Sequence, residues 1–278
     1  MAPQRDQVRE HYITSPDVVD RVLAAVAEAG HRTDRLAAEM LYPYDQLHGR
    51  EFAATREHVE HLRLQPGMSV LDVGSGIGGP ARYIASNFDV KVTGIDLVPE
   101  FVDTAQDLTR RCGLDDRITF QEADALAMPF ADDTFDAALC LHVAMNVADK
   151  AQLCREIRRV LKPGGRVVWS EVALGPIGPA LFPLPWARVP ANSFLVPPQV
   201  LRQTFTKAGF HILEFVDETQ HFLALGNGSG SATSALPAAQ REANQVVLGD
   251  DFVERRQNFI RNMVEGRLVS ILIEAVKR

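Results

Sequence analysis

Ser69-Val70-Leu71-Asp72-Val73 is a short apolar run that breaks into Gly74-Ser75-Gly76-Ile77-Gly78-Gly79, and helical sequence resumes at Pro80. Such a run reads as a buried parallel strand that turns sharply into the helix covering it. The pattern then repeats. Strand-like segments at 91–96, 118–122, 135–141 and 165–173 are interleaved with helical segments at 99–113 and 150–161. This alternation predicts an α/β chain with a parallel, doubly wound sheet, since parallel neighbours need a crossover between them. Ligands of such sheets bind beyond the C-terminal ends of the strands.

The flanks read differently. Residues 8–62 are helical in pattern: Val18, Val19, Val22, Leu23 and Val26 recur at helical spacing behind a Ser15-Pro16 start, and a second helix runs from about Thr33 to Leu41. Beyond Gly175 the chain is proline-rich through Pro198, which predicts a long covering loop whose Phe182, Trp186 and Phe194 form either an aromatic wall for substrate or a core covering the sheet edge. A helix at 199–208, a strand at 211–216, a Gly/Ser loop at 226–234, helical periodicity over 237–265 and a last strand at 267–276 follow. The expected organisation is a helical cap (1–64), a ligand-binding core (65–175), and a segment (176–278) that completes the same domain.

Composition excludes several classes. A net charge of -7 argues against a broad nucleic-acid footprint, which needs a surplus of Lys and Arg. No apolar run reaches the roughly 18–20 residues that span a bilayer, and the polar start lacks an apolar signal core. Cys112, Cys140 and Cys154 have no metal-like spacing, so no metal site is expected, and reduced thiols fit a cytoplasmic protein. A homodimer built on the helical C-terminal segment stays open.

The glycine turn by itself is ambiguous. Gly74-x-Gly76-x-x-Gly79 with Asp96 twenty positions after Gly76 satisfies a dinucleotide fingerprint. Three features point elsewhere. Asp72 ends the strand before the glycines, where a carboxylate suits a cationic amine better than a pyrophosphate. Asp124, in Ala123-Asp124-Ala125-Leu126, ends the third strand, where it can accept an adenine amino hydrogen. Leu161-Lys162-Pro163-Gly164-Gly165-Arg166 makes a turn just before the fifth strand.

Together, Val70 to Gly79, Asp96, Asp124, Phe135-Asp136 and Leu161 to Gly165 resemble, in order, the motifs of class I S-adenosylmethionine-dependent methyltransferases. The flanking Asp45-Gln46-Leu47-His48, His142-Val143-Ala144-Met145-Asn146 and Ser193 to Pro198 resemble the sarcosine/dimethylglycine N-methyltransferase-like branch. The resemblance implies a Rossmann-like sheet of seven strands, the last antiparallel, with an N-terminal helical cap and lid insertions. It implies S-adenosylmethionine as cofactor, S-adenosylhomocysteine as product, and methyl transfer to oxygen, nitrogen or carbon of a small molecule such as a secondary metabolite. Asp96 would then meet the ribose, Leu97 flank the adenine, and Asp124, Ala125 and Leu126 hold the adenine edge. Asp72 and Gly74-Ser75-Gly76-Ile77-Gly78 would line the methionine portion.

A methyl donor already carries its activated group, so the protein must align the acceptor and, for a hydroxyl or carbon acid, deprotonate it. His142, at the mouth of the fourth strand, is the candidate base; Glu171, near the end of the fifth, is its candidate acidic partner. His48 and Gln46 in the cap are candidates for contacts to substrate or to the methionine carboxylate. Asn146 reads as an orienting residue or a helix cap. Two further readings of this scaffold are a cyclase that keeps the cofactor for structure and a glycine-derivative N-methyltransferase, and a nicotinamide dehydrogenase is the rival the glycine turn leaves standing.

Overall fold

The computed structural model describes residues 2–13, 17–226 and 238–278. Four helices precede the first strand: α1 (Ala2–Tyr12), α2 (Val18–Glu28), α3 (Ala38–Asp45) and α4 (Glu51–His61). The alternating core follows as β1 (Ser69–Val73), α5 (Gly79–Asn87), β2 (Lys91–Asp96), α6 (Pro99–Arg111), β3 (Ile118–Glu122), β4 (Phe135–Leu141), α7 (Lys150–Val160) and β5 (Leu161–Leu174). The remainder is α8 (Pro198–Lys207), β6 (Phe210–Asp217), α9 (Thr219–Gly226), α10 (Ala238–Leu248), α11 (Phe252–Val264) and β7 (Leu268–Lys277).

One sheet joins all seven strands in the order β3-β2-β1-β4-β5-β7-β6. The first five are parallel, and β7 runs antiparallel to both β5 and β6. Strand residues alternate between two buried faces, as a sheet covered on both sides requires. Leu71, Val73, Cys140 and Trp169 pack with residues of α7 and α8. Val70, Val92, Leu139 and Val168 pack with residues of α4, α5 and α6. The buried cysteines Cys140 and Cys154 thus serve as small apolar core groups. Emptying a position such as Leu71 would cost about 2–5 kcal/mol.

The N-terminal helices are not a free appendage. Val18, Val22 and Val26 of α2 share a core with Leu41 of α3, Phe101 and Leu108 of α6, and Val247 of α10. The Ser15-Pro16 start and residues 227–234 of the Gly/Ser loop lie outside the described residues. The helix expected over 33–41 instead runs from Ala38 through Pro43 to Asp45. Residues 33–35 are held in a bend by the Arg32–Asp34 ion pair, while burial of Leu41, Tyr42 and Asp45 keeps the helix going past the proline.

Lys162-Pro163-Gly164-Gly165 lies at the N-terminal end of β5, where pairing with β4 jumps from Phe135–Leu161 to Ala137–Arg166. Gly164 takes the left-handed backbone the turn needs, with φ +79°. Lys162 Nζ donates to both Asp136 oxygens at 2.8 and 2.9 Å, and Asp136 also accepts the Ser69 amide. The turn fastens strand starts, at the opposite end of the sheet from the C-terminal strand ends.

The proline-rich lid takes the second of its two expected forms at Phe182 and Trp186. Trp186 is buried and packs edge-on to Phe259 of α11, with centroids 5.6 Å apart, and its indole N–H donates to Ser193 Oγ. Phe182 joins the same cluster, against Met145 and Met263. These aromatics form a satellite core under the lid.

Candidate active site

A cavity of about 600 Å³ opens at the C-terminal ends of β1 to β4, within the size range of small-molecule sites. Its cofactor-like end is made by the glycine turn. Gly74, Gly76 and Gly78 have φ of +69°, +52° and +88°, values that side chains resist. A Cβ on Gly74 would stand 2.3 Å from Val143 Cγ2, so the turn after β1 and the loop after β4 touch through that missing methyl. Asp96 Oδ2 accepts the Gly76 amide at 2.8 Å and Oδ1 the Val98 amide at 3.0 Å. The same carboxylate that faces the cavity therefore sets the shape of the turn. Asp124 Oδ1 accepts the Leu126 amide at 2.8 Å and fixes the loop after β3 in the same way.

Asp72 is almost wholly buried and lines this end, and its Oδ2 has no hydrogen-bond partner. Burial, with the neighbouring charge of Asp96, pushes its carboxyl up to about 7. The Ser75 hydroxyl is likewise buried without a partner. Buried polar atoms are seldom left so, and a ligand bearing a cation and hydrogen-bond donors would relieve both. The donor set fits an aminoacyl nucleoside cofactor: unpaired acid and hydroxyl, bare backbone at Gly74 and Gly76, and carboxylates at the ends of β2 and β3.

The same cavity is lined by His48, His142, Asn146, Leu47, Val147 and Tyr12, with Leu47 close to the glycine turn at Gly76. His142 occupies the left-handed region at φ 53°, which costs a non-glycine residue about 1–2 kcal/mol. Its amide is tied to the Ser170 carbonyl at 2.8 Å, and Gly49 packs so closely that a Cβ there would lie 3.0 Å from the ring. Burial, helped by His48, His58 and Arg50, holds the His142 imidazole well below 6.5, so it is neutral at pH 7.

The two histidines, with ring centroids 6.0 Å apart, are not equivalent. His48 Nε2 lies 2.9 Å from Thr55 Oγ1, the Thr55 hydroxyl donates to Gln46 Oε1, and Gln46 Nε2 donates to Asp45 Oδ1 at 2.7 Å. Asp45 is anchored in turn by Arg82 at 2.9 Å. The other His48 nitrogen lies 3.2 Å from the Gly49 carbonyl, and burial lowers the ring to about 4. Both His48 ring nitrogens are thus engaged, and since a carbonyl oxygen only accepts, the neutral ring donates to either Gly49 or Thr55 and not to both. His142 makes no such chain among the described residues.

Asp72, Gly74, Ser75, Gly76, Asp96, Leu97, Asp124, Ala125, Leu126, His48 and His142 line this one cavity. Three other sequence candidates do not, and their placement is a correction. Gln46 is fully buried and spent on Asp45 and Thr55. Gly78 lies behind the turn, where a Cβ would strike Phe120 and Arg82. Glu171 is fully buried, accepts the Trp169 indole N–H at 2.9 Å and sits 3.5 Å from Lys150 Nζ. It is not the partner of His142. Lys150 also donates to the Ala144 and Phe194 carbonyls, both at 2.6 Å, so the pair pins the loop after β4 to the lid.

Other cavity residues had no local signal. Tyr12 and Val8, four apart on α1, reach the cavity because Arg9 pairs with Glu100 and the Tyr12 hydroxyl donates to Asn146 Oδ1 at 2.9 Å. Asn146 Nδ2 donates to the Trp186 carbonyl, so it braces α1 and the lid, while Asp149 caps α7. Away from the cavity, His61, Glu214 and Glu274 bring ligand atoms within 4.8 Å of one another, but Arg166 already pairs with Glu274.

Residues 71–169 match the methyltransferase domain family. The chain is 33% identical over 169 residues to the methyltransferase GfsG of Streptomyces halstedii, covering 61% of this chain and 52% of that one. The chain thus spans about half the length of this relative. Its fold is similar to the [4+2]-cyclase SpnF, with a TM-score of 0.69, 24% identity, and coverage of 98% and 96% of the two chains. It is also similar to a geranyl diphosphate C-methyltransferase from Streptomyces coelicolor A3(2), with a TM-score of 0.71, 19% identity, and coverage of 100% and 99%.

Proposed function

We propose that the chain is a class I S-adenosylmethionine-dependent methyltransferase that methylates a small-molecule acceptor, with His142 as the group that receives the acceptor's proton. The observation that carries the reading is the joining of two ends in one cavity: a glycine turn with an unpaired acid, and a neutral imidazole held in strained backbone. S-adenosylmethionine, when bound, supplies a methyl group on a positively charged sulfur.

The chain's own residues supply binding and alignment. Asp72, Ser75 and the backbone of Gly74 and Gly76 would hold the amino-acid portion, Asp96 the ribose, and Asp124, Ala125 and Leu126 the adenine edge, with Leu97 against the ring. Tyr12, Leu47 and Val147 would orient the acceptor and exclude water. His142 would take the proton of a hydroxyl or carbon acid; His48, held between Thr55 and the Gly49 carbonyl, fixes the wall beside it. The partner in this reading is a small molecule rather than nucleic acid, as the charge of -7 supports, and the free cysteines support a reducing, cytoplasmic setting. No helix among the described residues is long and apolar enough to cross a membrane.

The test is formation of S-adenosylhomocysteine in step with product, across a panel of hydroxylated acceptors. Equimolar formation is expected. Product formed without S-adenosylhomocysteine would replace this reading with a cyclase on the same scaffold. With a turning-over acceptor, His142→Ala should cut kcat about 10²–10⁴-fold and leave S-adenosylhomocysteine affinity within about threefold. Unchanged kcat would remove the histidine from the chemistry.

A further inference from the structure

The charge on the cavity wall restricts what can occupy the acceptor end. Its acids, Asp45, Asp72, Asp96, Glu122 and Asp124, come from the cofactor turn, the segment beside it and the ends of β2 and β3. The uncharged part of the lining includes Tyr12, Leu47, His48, His142, Asn146 and Val147. Among the residues whose side chains are described, no Lys or Arg lines the cavity.

Three buried cations close to the wall are engaged elsewhere. Arg82 gives its guanidinium to Asp45, to the Ile77 carbonyl at 2.7 Å and to Thr109 at 3.1 Å. Arg50 is buried between Glu57, Glu218 and His58. Lys150 is used on the Ala144 and Phe194 carbonyls and lies beside Glu171. Burial keeps both cavity histidines uncharged at neutral pH. An anion in this cavity would be desolvated beside the carboxylates of its lining, with no cation among the described lining residues to offset it.

Resting on the methyltransferase reading, we propose that the acceptor is an uncharged, largely apolar molecule that offers its nucleophile to His142, and that phosphorylated or carboxylated acceptors are excluded. The wall selects by charge before it selects by shape. A neutral hydroxyl can hydrogen-bond the His142 lone pair with its chain or ring against Leu47 and Val147; a phosphate gains no partner here.

The test uses two probes on the same ring, 1-naphthol and 1-naphthyl phosphate, which differ by a charged phosphoryl group in place of the hydroxyl hydrogen, titrated into protein saturated with S-adenosylhomocysteine and followed by thermal shift and calorimetry. Saturable binding of 1-naphthol, with 1-naphthyl phosphate at least ~100-fold weaker, is the expected result. Equal binding, or tighter binding of the phosphate, would overturn the charge selection. Failure of both probes to bind the loaded protein would overturn the apolar half. Failure of S-adenosylhomocysteine itself to bind is a separate result, and it would strike the methyltransferase reading instead.

Discussion

The two ends of the cavity are built by different rules. The glycine-turn end is local: Asp72, Gly74, Ser75 and Gly76 come from eleven consecutive residues (69–79), and Asp96 and Asp124 sit where the next two strands stop. The acceptor end is assembled from far apart in the chain: Tyr12 on α1, Leu47 and His48 between α3 and α4, and His142 to Val147 after β4. The first end is held by backbone geometry, the second by a buried polar chain and an ion pair. A local site is legible and rigid. An assembled one can change its acceptor without disturbing the donor.

The most severe way to break this division is Gly74→Ala. The new methyl meets left-handed backbone and Val143 together, so it should injure both ends. S-adenosylhomocysteine affinity is expected to fall ~100-fold or more by calorimetry, with cooperative unfolding retained. Unchanged affinity would mean that the two loops are not coupled there.

His142→Ala sharpens the comparison, because it should empty the acceptor end while sparing the donor end. The wild-type rate carries a further signature. The folded imidazole is depressed well below 6.5, so the base stays unprotonated and its acid limb must fall well below that value. A limb centred at 6.5 or above would contradict the burial argument.

Glu171→Gln gives the smallest effect and concerns what lies beneath the acceptor loop. Burial raises the folded carboxyl to about 7 from 4.5, so the folded wild type binds a proton that the unfolded chain has lost between those values. That stability is present in full below 4.5 and disappears as pH rises through about 7. The glutamine variant lacks this loss. Its stability relative to wild type should therefore climb between pH 5 and 8, by on the order of 3 kcal/mol at most, in parallel denaturant titrations. A pH-independent difference would place the Glu171 carboxyl near its ordinary value.

The sheet was legible because its strands are short apolar runs punctuated by glycine and proline, and β4 falls where its pattern predicts, at Phe135–Leu141. The residues of the donor end could be named for the same reason. Glu171 was misplaced because position along a strand does not tell which neighbour a buried carboxylate finds; Trp169 and Lys150 claimed it. Gln46 looked like a site residue because a polar side chain in a cap loop is ordinarily exposed, whereas Thr55 and Asp45 bury it. The sequence left the lid aromatics open between a substrate wall and a covering core, because α11, distant in sequence, supplies the Phe259 and Met263 that Phe182 and Trp186 pack with. Tyr12 carried no signal at all, since its place depends on a pairing between α1 and α6.

The central claim is that the glycine-turn end is a donor site separable from the acceptor end. Titrating S-adenosylhomocysteine into wild type, Asp96→Ala and His142→Ala in one calorimetric series tests it most directly. Asp96 bonds the Gly76 and Val98 amides as well as facing the cavity, so its loss should weaken binding about 30–100-fold, while His142→Ala binds like wild type. Wild-type protein that fails to bind, or an Asp96→Ala variant that binds as tightly as wild type, would contradict the account.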